Sequence, residues 1–384
     1  MQVNKVMQKQ GKTLALMMAT AIAAACVLIF SKATAGGVKK GLDYAADILI
    51  PSLFPFMVLS SFAMRSGLSE LFGKLFGRVF EVMFSLPRAA AGAIVLSLVG
   101  GYPIGAKCVR LLYDEHKLTS RQAEQMMCFC VCSGPAFLIT GVGVLLLHDA
   151  VSGLILYLSQ LFSALLIGIV SGLVYRKKTP SAKSQTLSDT APTQGILSVF
   201  VQCCSDGALS VIQLTSLVTI FAVLTALCGS LGITDLSCAV FRALGADFPT
   251  ANSLLYILTE VTSACKTITD VGAPLWLLSA ASGFGGLCVH FQLFLILGDI
   301  PIRKTVFFSC RIVNMILSSV IVYTVCLFYR PTAEVFAIGN GAQAEWLSVS
   351  AAGSAAMVIL SVLFLLSLGT KGKGLKRNIF LFRR

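Results

Sequence analysis

Three basic residues lie within apolar stretches and are the first candidates for chemistry: Lys107, Lys266 and Arg311. Inside a membrane, a Lys or Arg is costly unless it lines a water-filled cavity or has a partner. A cation that lines such a cavity would attract a carboxylate, so these residues indicate a site for a small organic anion.

Local pairing is the alternative explanation for each cation, and the sequence leaves it open. Arg311 could pair with a carboxylate or a backbone carbonyl group elsewhere in the fold. Acidic partners close in the chain are Asp114 or Glu115 for Lys107, and Glu260 or Asp270 for Lys266.

Four interruptions of apolar helices supply a second anion-binding feature. Two long apolar runs break at residues 133–135 and 282–286, and two short hairpins have second arms that begin at residues 103–106 and 262–265. A helix that begins inside the membrane directs unpaired N–H groups and the positive end of its dipole into the gap. Ser133 is predicted as an N-cap, with Pro135 as the first helical residue.

Polar residues and glycines beside these interruptions complete the predicted site. A packing role is the alternative for His290, which is included because it follows a glycine-rich break and lies near Gln292. With the three cations, the predicted substrate-binding residues are Gly101, Tyr102, Pro103, Gly105, Ser133, Gly134, Pro135, Glu260, Thr262, Ser263, Ser282, Gly283, Gly285, Gly286, His290 and Gln292.

Enzymatic and metal-binding motifs are missing from the sequence. There is no His-Glu-x-x-His, no Gly-x-Ser-x-Gly and no Asp-rich metal motif, so no enzyme activity is expected. The 13 Cys include no Cys-x-x-Cys pair and the three His are scattered, so no metal site is expected. No cofactor is predicted, and Na+ or H+ is the candidate coupling ion.

Composition indicates that these residues lie in a membrane protein. The 384 residues are 56% hydrophobic and 12% charged, whereas a soluble domain is about 25% charged. The net charge of +13 would suggest nucleic acid in a soluble protein, but here it fits cytoplasmic loops. The expected partners are therefore the lipid bilayer and a small, anionic solute, without nucleic acid, and a homo-oligomer is compatible with the sequence.

Eight apolar runs are long enough to cross a bilayer, which takes about 20 helical residues. Two of them are the broken spans 121–147 and 273–298. The other six are 13–31, 42–64, 151–175, 208–231, 302–329 and 346–369. The first run has some features of a cleaved secretory signal, but its apolar core is longer than usual, so a retained span is expected.

The order span, hairpin, broken span, span occurs twice, and each unit crosses the membrane three times. The second copy must therefore be inverted, as in secondary transporters. We predict an all-α integral membrane fold of about eight transmembrane helices plus two re-entrant hairpins in two inverted repeats. The predicted segments are an N-terminal span (1–36), a first repeat (37–178) with hairpin 88–117, a cytoplasmic linker (179–195), a second repeat (196–330) with hairpin 250–270, and a C-terminal span with a basic tail (331–384).

The distribution of basic residues predicts the orientation. With this topology, 23 of the 30 Lys and Arg lie on one side and 6 on the other, and Arg311 lies inside a span. Cytoplasmic loops carry the excess of Lys and Arg, so both termini are expected in the cytoplasm. Residues 68–86 are expected to form an amphipathic helix at the membrane interface.

Three segments resemble the sporulation integral membrane proteins of the YlbJ type, within the nucleoside-recognition or Gate superfamily. They are residues 101–107 (GYPIGAK), 129–137 (FCVCSGPAF) and 282–292 (SGFGGLCVHFQ), and the resemblance extends over about residues 42–330. It implies a fold related to concentrative nucleoside transporters. For sporulation members it also implies movement of dipicolinic acid across the membrane around the forming spore, which would place the protein in the outer forespore membrane of a spore former.

The leading functional hypothesis is a secondary transporter of a small organic anion such as dipicolinate. A cation-coupled transporter of nucleosides or another neutral solute is the alternative, in which the lysines would be structural. A sporulation membrane assembly protein without transport is an alternative of another class, but it leaves the broken helices unexplained.

Overall fold

A computed structural model describes residues 2–66, 68–176 and 196–329. The described residues are helical and contain no strand, which confirms the predicted all-α class. The predicted linker 179–195 and the C-terminal span 346–369 with its basic tail lie outside the described residues.

The helices of the first half run up to Arg176. They are α1 (Gln2–Ile29), α2 (Ser31–Tyr44), a π-helical segment (Ala45–Leu49), α3 (Ile50–Arg65), α4 (Leu68–Phe84), α5 (Ala90–Gly100), α6 (Tyr102–Asp114), α7 (Ser120–Phe129), a second π-helical segment (Ala136–Leu146) and α8 (Ala150–Arg176).

The helices of the second half follow the linker. They are α9 (Ile196–Ser230), α10 (Ile233–Ala243), α11 (Phe248–Thr259), α12 (Val261–Asp270), α13 (Leu275–Phe284), α14 (Gly286–Leu297) and α15 (Lys304–Phe328). The predicted order is present in both halves: a long helix, a short hairpin, a broken pair and a long helix. The inversion of the second copy remains a prediction.

Five segments of the described chain are long and apolar enough to cross a membrane: Ser31–Arg65, Ala150–Tyr175, Leu197–Ser230, Leu275–Leu297 and Lys304–Phe328. The predicted spans at 42 and 208 therefore begin earlier than expected, because the helices continue through polar residues before them. The apolar helices Thr13–Ile29 and Ala136–Leu146 are shorter. The total of eight crossings remains a prediction.

Small residues allow the long helices to approach closely. Gly37 and Gly41 of α2 face α9, and a Cβ atom on Gly37 would lie 2.8 Å from Val223 Cα. Small residues four apart are a common contact between membrane helices, because they let the two backbones pack together. Nearer the start of α9, Asp206 pairs with Arg65 of α3 at 2.5 Å.

The predicted amphipathic helix is α4, and four of its apolar side chains are exposed: Leu71, Leu75, Val79 and Val82. This apolar stripe is the face expected to lie against lipid. The predicted capping box at the start of α7 is also present, since Thr119 and Gln122 exchange hydrogen bonds between side chain and backbone.

Candidate functional site

A cavity lies where the two hairpin tips meet the two helix breaks. Its walls are mostly apolar, and its polar lining comes from Tyr102, Glu260, Thr262 and Gln292. About 40 Å³ is open to the centre of a water molecule. Because one water needs roughly 10–15 Å³ by this measure, the cavity has room for a few waters.

The first hairpin tip packs directly on the first break. Gly101 has φ +80° and separates α5 from α6, so the turn needs a residue that tolerates the left-handed region. A Cβ atom on Gly101 would lie 3.0 Å from the backbone N of Gly134, and a Cβ atom on Gly134 would lie 3.0 Å from the backbone N of Gly101. Only two glycines allow the backbones to meet this closely.

Tyr102 links the first hairpin to both breaks. Its hydroxyl donates to the carbonyl oxygen of Ser282 and accepts from Ser133 Oγ at 2.7 Å. The ring also covers Gly285, whose φ is +89° and where a Cβ would lie 3.3 Å from the Tyr102 oxygen. This bonded group therefore joins both repeats beside the cavity.

The second hairpin turns at Glu260, whose backbone is extended between α11 and α12. The Glu260 carboxylate caps α12 by accepting from the backbone N–H groups of Thr262 and Ser263, at 2.8 and 2.6 Å. Gly286, at φ +74°, packs on this turn, and a Cβ there would lie 3.0 Å from Glu260 N. The second tip and the second break are thus in backbone contact.

The structure corrects three local predictions. The second arms begin at Tyr102 and Val261, before the predicted ranges 103–106 and 262–265. Ser133 is not an N-cap, because its hydroxyl donates to Tyr102 and the following helix has no side-chain cap. Gly101 separates the two arms of the first hairpin and Glu260 those of the second, so each second arm begins directly after that residue.

Lys107 and Lys266 lie away from the cavity. Each is six residues beyond its hairpin tip, which is about 9 Å along a helix and on a different face. Lys107 Nζ donates to Ser210 Oγ of α9 at 2.6 Å, so neither acidic partner expected for it is used. Lys266 pairs with Asp270 at 2.6 Å on a partly exposed surface, as the local-pairing alternative predicts.

Arg311 is buried and bonded to the broken end of α7. Its guanidinium donates to the carbonyl oxygens of Cys128, at 2.5 Å, and of Val131. These carbonyl groups lie at the end of a helix, where a cation is favourable. Arg311 is therefore paired with backbone carbonyl groups, which is one of the alternatives that the sequence leaves open. The Arg311 side chain is not among those that line the cavity.

The contacts of His290 are those of a residue that packs in the interior. Its Nε2 atom lies 2.9 Å from the carbonyl oxygen of Phe284, and its ring makes edge contacts with Phe307 and Phe308. Gln292, two residues later, lines the cavity.

The other predicted residues have packing positions around this centre. Pro103 lines the cavity, Pro135 directly precedes the second π-helical segment, and Ser263 lies in the first turn of α12. Gly105 packs on the Cys130 carbonyl group, and Gly283 packs on Met315 of α15. The predicted set therefore divides into a group around the cavity and a group that holds the helices together.

A buried amide network behind the second break was not predicted. Gln160 of α8 donates to the Ser279 carbonyl oxygen at 2.9 Å and to Ser318 Oγ at 3.0 Å. Asn314 donates to Gln160 at 3.0 Å and to the Gly283 carbonyl oxygen at 3.0 Å. The available signal was a single Gln in the apolar span 151–175, since a buried amide needs partners.

A second unpredicted contact joins the two repeats at Glu124. Arg303 holds this carboxylate through its backbone N–H at 2.9 Å and its guanidinium at 2.6 Å, and the Tyr175 hydroxyl also donates to it. The Glu124 side chain is 5% exposed, whereas that of Arg303 is 67% exposed.

Glu124→Gln is expected to destabilise the protein by about 1–2 kcal/mol, because charge-assisted bonds are lost at a buried carboxylate. The free energy of unfolding in mixed micelles checks this value. The matched control is Glu81→Gln, which breaks an exposed pair with Arg88 and should change the free energy by less than about 0.5 kcal/mol. Equal effects of the two substitutions would contradict this assignment.

Part of the chain matches a known family model. Residues 47–150 match the family model named Gate, which describes nucleoside recognition. The matched segment is thus similar to Gate domains. It contains the first hairpin tip and the first break, whereas Glu260 and Gln292 lie beyond it.

A much longer alignment supports the predicted resemblance. The chain is 24% identical over 333 residues to the sporulation integral membrane protein YlbJ of Bacillus subtilis (strain 168), covering 80% of each protein. The resemblance to the YlbJ type is therefore confirmed, and the chain is a multi-pass integral membrane protein. Dipicolinate is not tested by this similarity.

Two solved structures of CNTnw are also similar to this chain. One, in the intermediate 3 state, has 13% identity and a TM-score of 0.46, and covers 86% of this chain and 88% of that chain. The other, in an inward-facing substrate-bound state, has 12% identity and a TM-score of 0.42, with coverages of 83% and 86%.

Proposed function

We propose that the protein is a secondary transporter that carries a small organic solute through the cavity between the hairpin tips and the helix breaks. The observation that carries this proposal is the convergence of all four interruptions on one cavity. Irregular backbone at membrane depth is tolerated where it lines a cavity or is buried in protein. Movement of the hairpins and broken helices would expose the solute to each side in turn.

The cavity lining supports a neutral solute with several hydrogen-bond donors, such as a nucleoside. Glu260 offers a carboxylate, Gln292 an amide and Thr262 a hydroxyl, and no Lys or Arg of the described residues lines the cavity. Hydroxyl or N–H groups of a solute would pair with these acceptors. The Gate family description, nucleoside recognition, agrees with this class.

A small organic anion such as dipicolinate is the second candidate. The starts of α6, α12 and α14 all lie at the cavity, and helix N-termini favour negative charge. Dipicolinate is also the solute that the resemblance to sporulation members implies. However, Glu260 already occupies the N-terminus of α12, so an ionised Glu260 would repel a second negative charge.

Thermal stabilisation of the purified protein by a panel of nucleosides and dicarboxylates tests the solute class. A ligand that binds only the folded state raises the unfolding midpoint. We expect uridine to stabilise the native protein and not Gln292→Leu. Stabilisation of the native protein by dipicolinate and not by uridine would favour the second candidate, a small organic anion. The matched control is Leu295→Met, at an exposed position of the same helix.

Lys266→Ala is expected to leave ligand-induced stabilisation unchanged within twofold in apparent affinity, because Lys266 is paired with Asp270 outside the cavity. Exposed ion pairs also contribute little to folding, about 0–1 kcal/mol. A titration with dipicolinate and with uridine checks both values. More than tenfold weaker dipicolinate binding would instead support the anion site predicted from the lysines.

The membrane orientation belongs to the same proposal. The asymmetric distribution of Lys and Arg supports cytoplasmic termini. The similarity to a sporulation integral membrane protein supports a membrane location, and the outer forespore membrane of a spore former is the location that the resemblance implies.

A further inference from the structure

Glu260 is a buried carboxylate with no Lys or Arg partner in the described parts of the chain. It lines the cavity and is 1% exposed. Lys266, on the same helix, is engaged by Asp270, and Lys107 is bonded to Ser210. The negative charge of Glu260 is therefore stabilised by two backbone N–H groups and the start of α12, without a basic partner.

Two opposing effects act on the charge of Glu260. Removal of a carboxylate from water strongly favours the neutral acid. Hydrogen bonds from two N–H groups and a helix N-terminus favour the anion in turn. A change in the water content of the cavity would then shift the balance from one form to the other.

Two neighbouring hydroxyls can serve both forms of the carboxyl group. The hydroxyls of Thr262 and Ser263 adjoin the Glu260 carboxylate, and neither makes a hydrogen bond of good geometry among the described residues. A hydroxyl donates to the ionised carboxylate and accepts from the protonated acid. Proton binding therefore leaves no buried polar group newly unpaired.

The other titratable groups around Glu260 carry no charge near neutral pH. They are the hydroxyl of Tyr44 on α2 and the thiols of Cys265 on α12 and Cys288 on α14. Tyr102 of α6 lines the same cavity. Phenols and buried thiols are neutral at pH 7, so none of these groups places a second charge beside Glu260.

The position of Glu260 connects its charge to the moving parts of the proposed transporter. Its backbone packs on Gly286, so it lies at the contact between the second hairpin tip and the second break. Separation of these elements would admit water to the carboxylate and favour release of a proton, and closure would favour the neutral acid.

We propose that Glu260 binds one proton from one side of the membrane and releases it on the other, and that this exchange couples solute movement to the proton gradient. The inference rests on the proposed transporter function. In the binding step, a hydronium ion transfers its proton to the carboxylate and leaves water, and no other bond changes. The release step is the reverse.

Infrared difference spectra of the purified full-length protein, recorded as the pH is lowered, test proton binding without any solute. We expect the C=O stretch of a buried protonated carboxyl group, absent in Glu260→Gln and retained in Asp270→Asn, the carboxylate of the same helix that faces the surface. Glu260→Asp should keep the band with a different midpoint pH, which provides a second variant if Glu260→Gln does not fold. Absence of the band in the native protein would overturn the proposal.

Proteoliposomes test the coupling, with labelled uridine and labelled dipicolinate as probes and the membrane potential clamped at zero. With one proton per neutral solute, a gradient of one pH unit should drive about tenfold accumulation. Glu260→Gln should lose this accumulation, whereas Asp270→Asn should retain it. Flux that is the same with and without the proton gradient would overturn the coupling but not the transporter function. Absence of flux for both probes would overturn the proposed function itself.

Discussion

Gly105→Ala should unfold the junction between the first hairpin and the first break, at a cost of about 3 kcal/mol or more. A Cβ atom at this position would overlap the carbonyl oxygen of Cys130 and lie 3.1 Å from the Cys130 carbonyl carbon and 3.3 Å from Ser97 Cβ. The obstacle is backbone, which cannot rotate away as a side chain can. Overpacking of this kind costs about 1–3 kcal/mol and sometimes more.

The yield of monodisperse protein in detergent and its unfolding free energy check this expectation. Gly36→Ala is the matched control, since Gly36 is also helical and a Cβ atom there would meet no atom within 4 Å. Removal of a helical glycine should leave that variant at least as stable as the native protein. Equal stability of the two variants would show that Gly105 is not packed against Cys130.

Arg311→Met should destabilise the protein by about 3 kcal/mol, although it removes a charge from the interior. The substitution leaves the carbonyl groups of Cys128 and Val131 without the donor that holds them at the broken end of α7. A buried carbonyl group left without its donor typically costs about 1–3 kcal/mol, and two such groups are left here.

Lys266→Met provides the comparison for Arg311, because both residues are cations that the sequence assigned to the substrate site. Lys266 is paired on a partly exposed surface, so its replacement should change the unfolding free energy by less than about 1 kcal/mol. If Arg311→Met were as stable as the native protein but bound solute more weakly, Arg311 would be a substrate residue and its structural assignment would be wrong.

The architecture was predictable because helix breaks leave clear signals in an apolar sequence. Glycines and prolines at 101–105, 133–135 and 282–286 stand out against runs of Ala, Leu, Ile and Val. The half-membrane length of the short arms then indicates hairpins. The structure has all four interruptions and brings them to one cavity.

The roles of the basic residues were not predictable from local sequence. Lys107 bonds to Ser210, and Arg311 bonds to carbonyl groups 180 and 183 residues away. Partners this distant depend on how the long helices pack, which apolar periodicity does not specify. Helical geometry alone indicates that a Lys six residues beyond a hairpin tip does not face that tip.

The amide network shows a different limit. Gln160, Asn314 and Ser318 belong to two long apolar helices, where each looks like an isolated polar residue. A sequence indicates that such a residue needs a partner, but the partner is identified only when the helices are packed.

Protein-dependent solute flux is the most direct test of the central claim, that solute passes through the cavity between the hairpin tips and the breaks. Proteoliposomes that contain the native protein should take up the solute that stabilises it, well above empty liposomes. Gln292→Leu, which alters the cavity wall, should lose most of this flux, and Leu295→Met, on the exposed face of the same helix, should keep it. Flux no greater than in empty liposomes, or equal in both variants, would contradict the account.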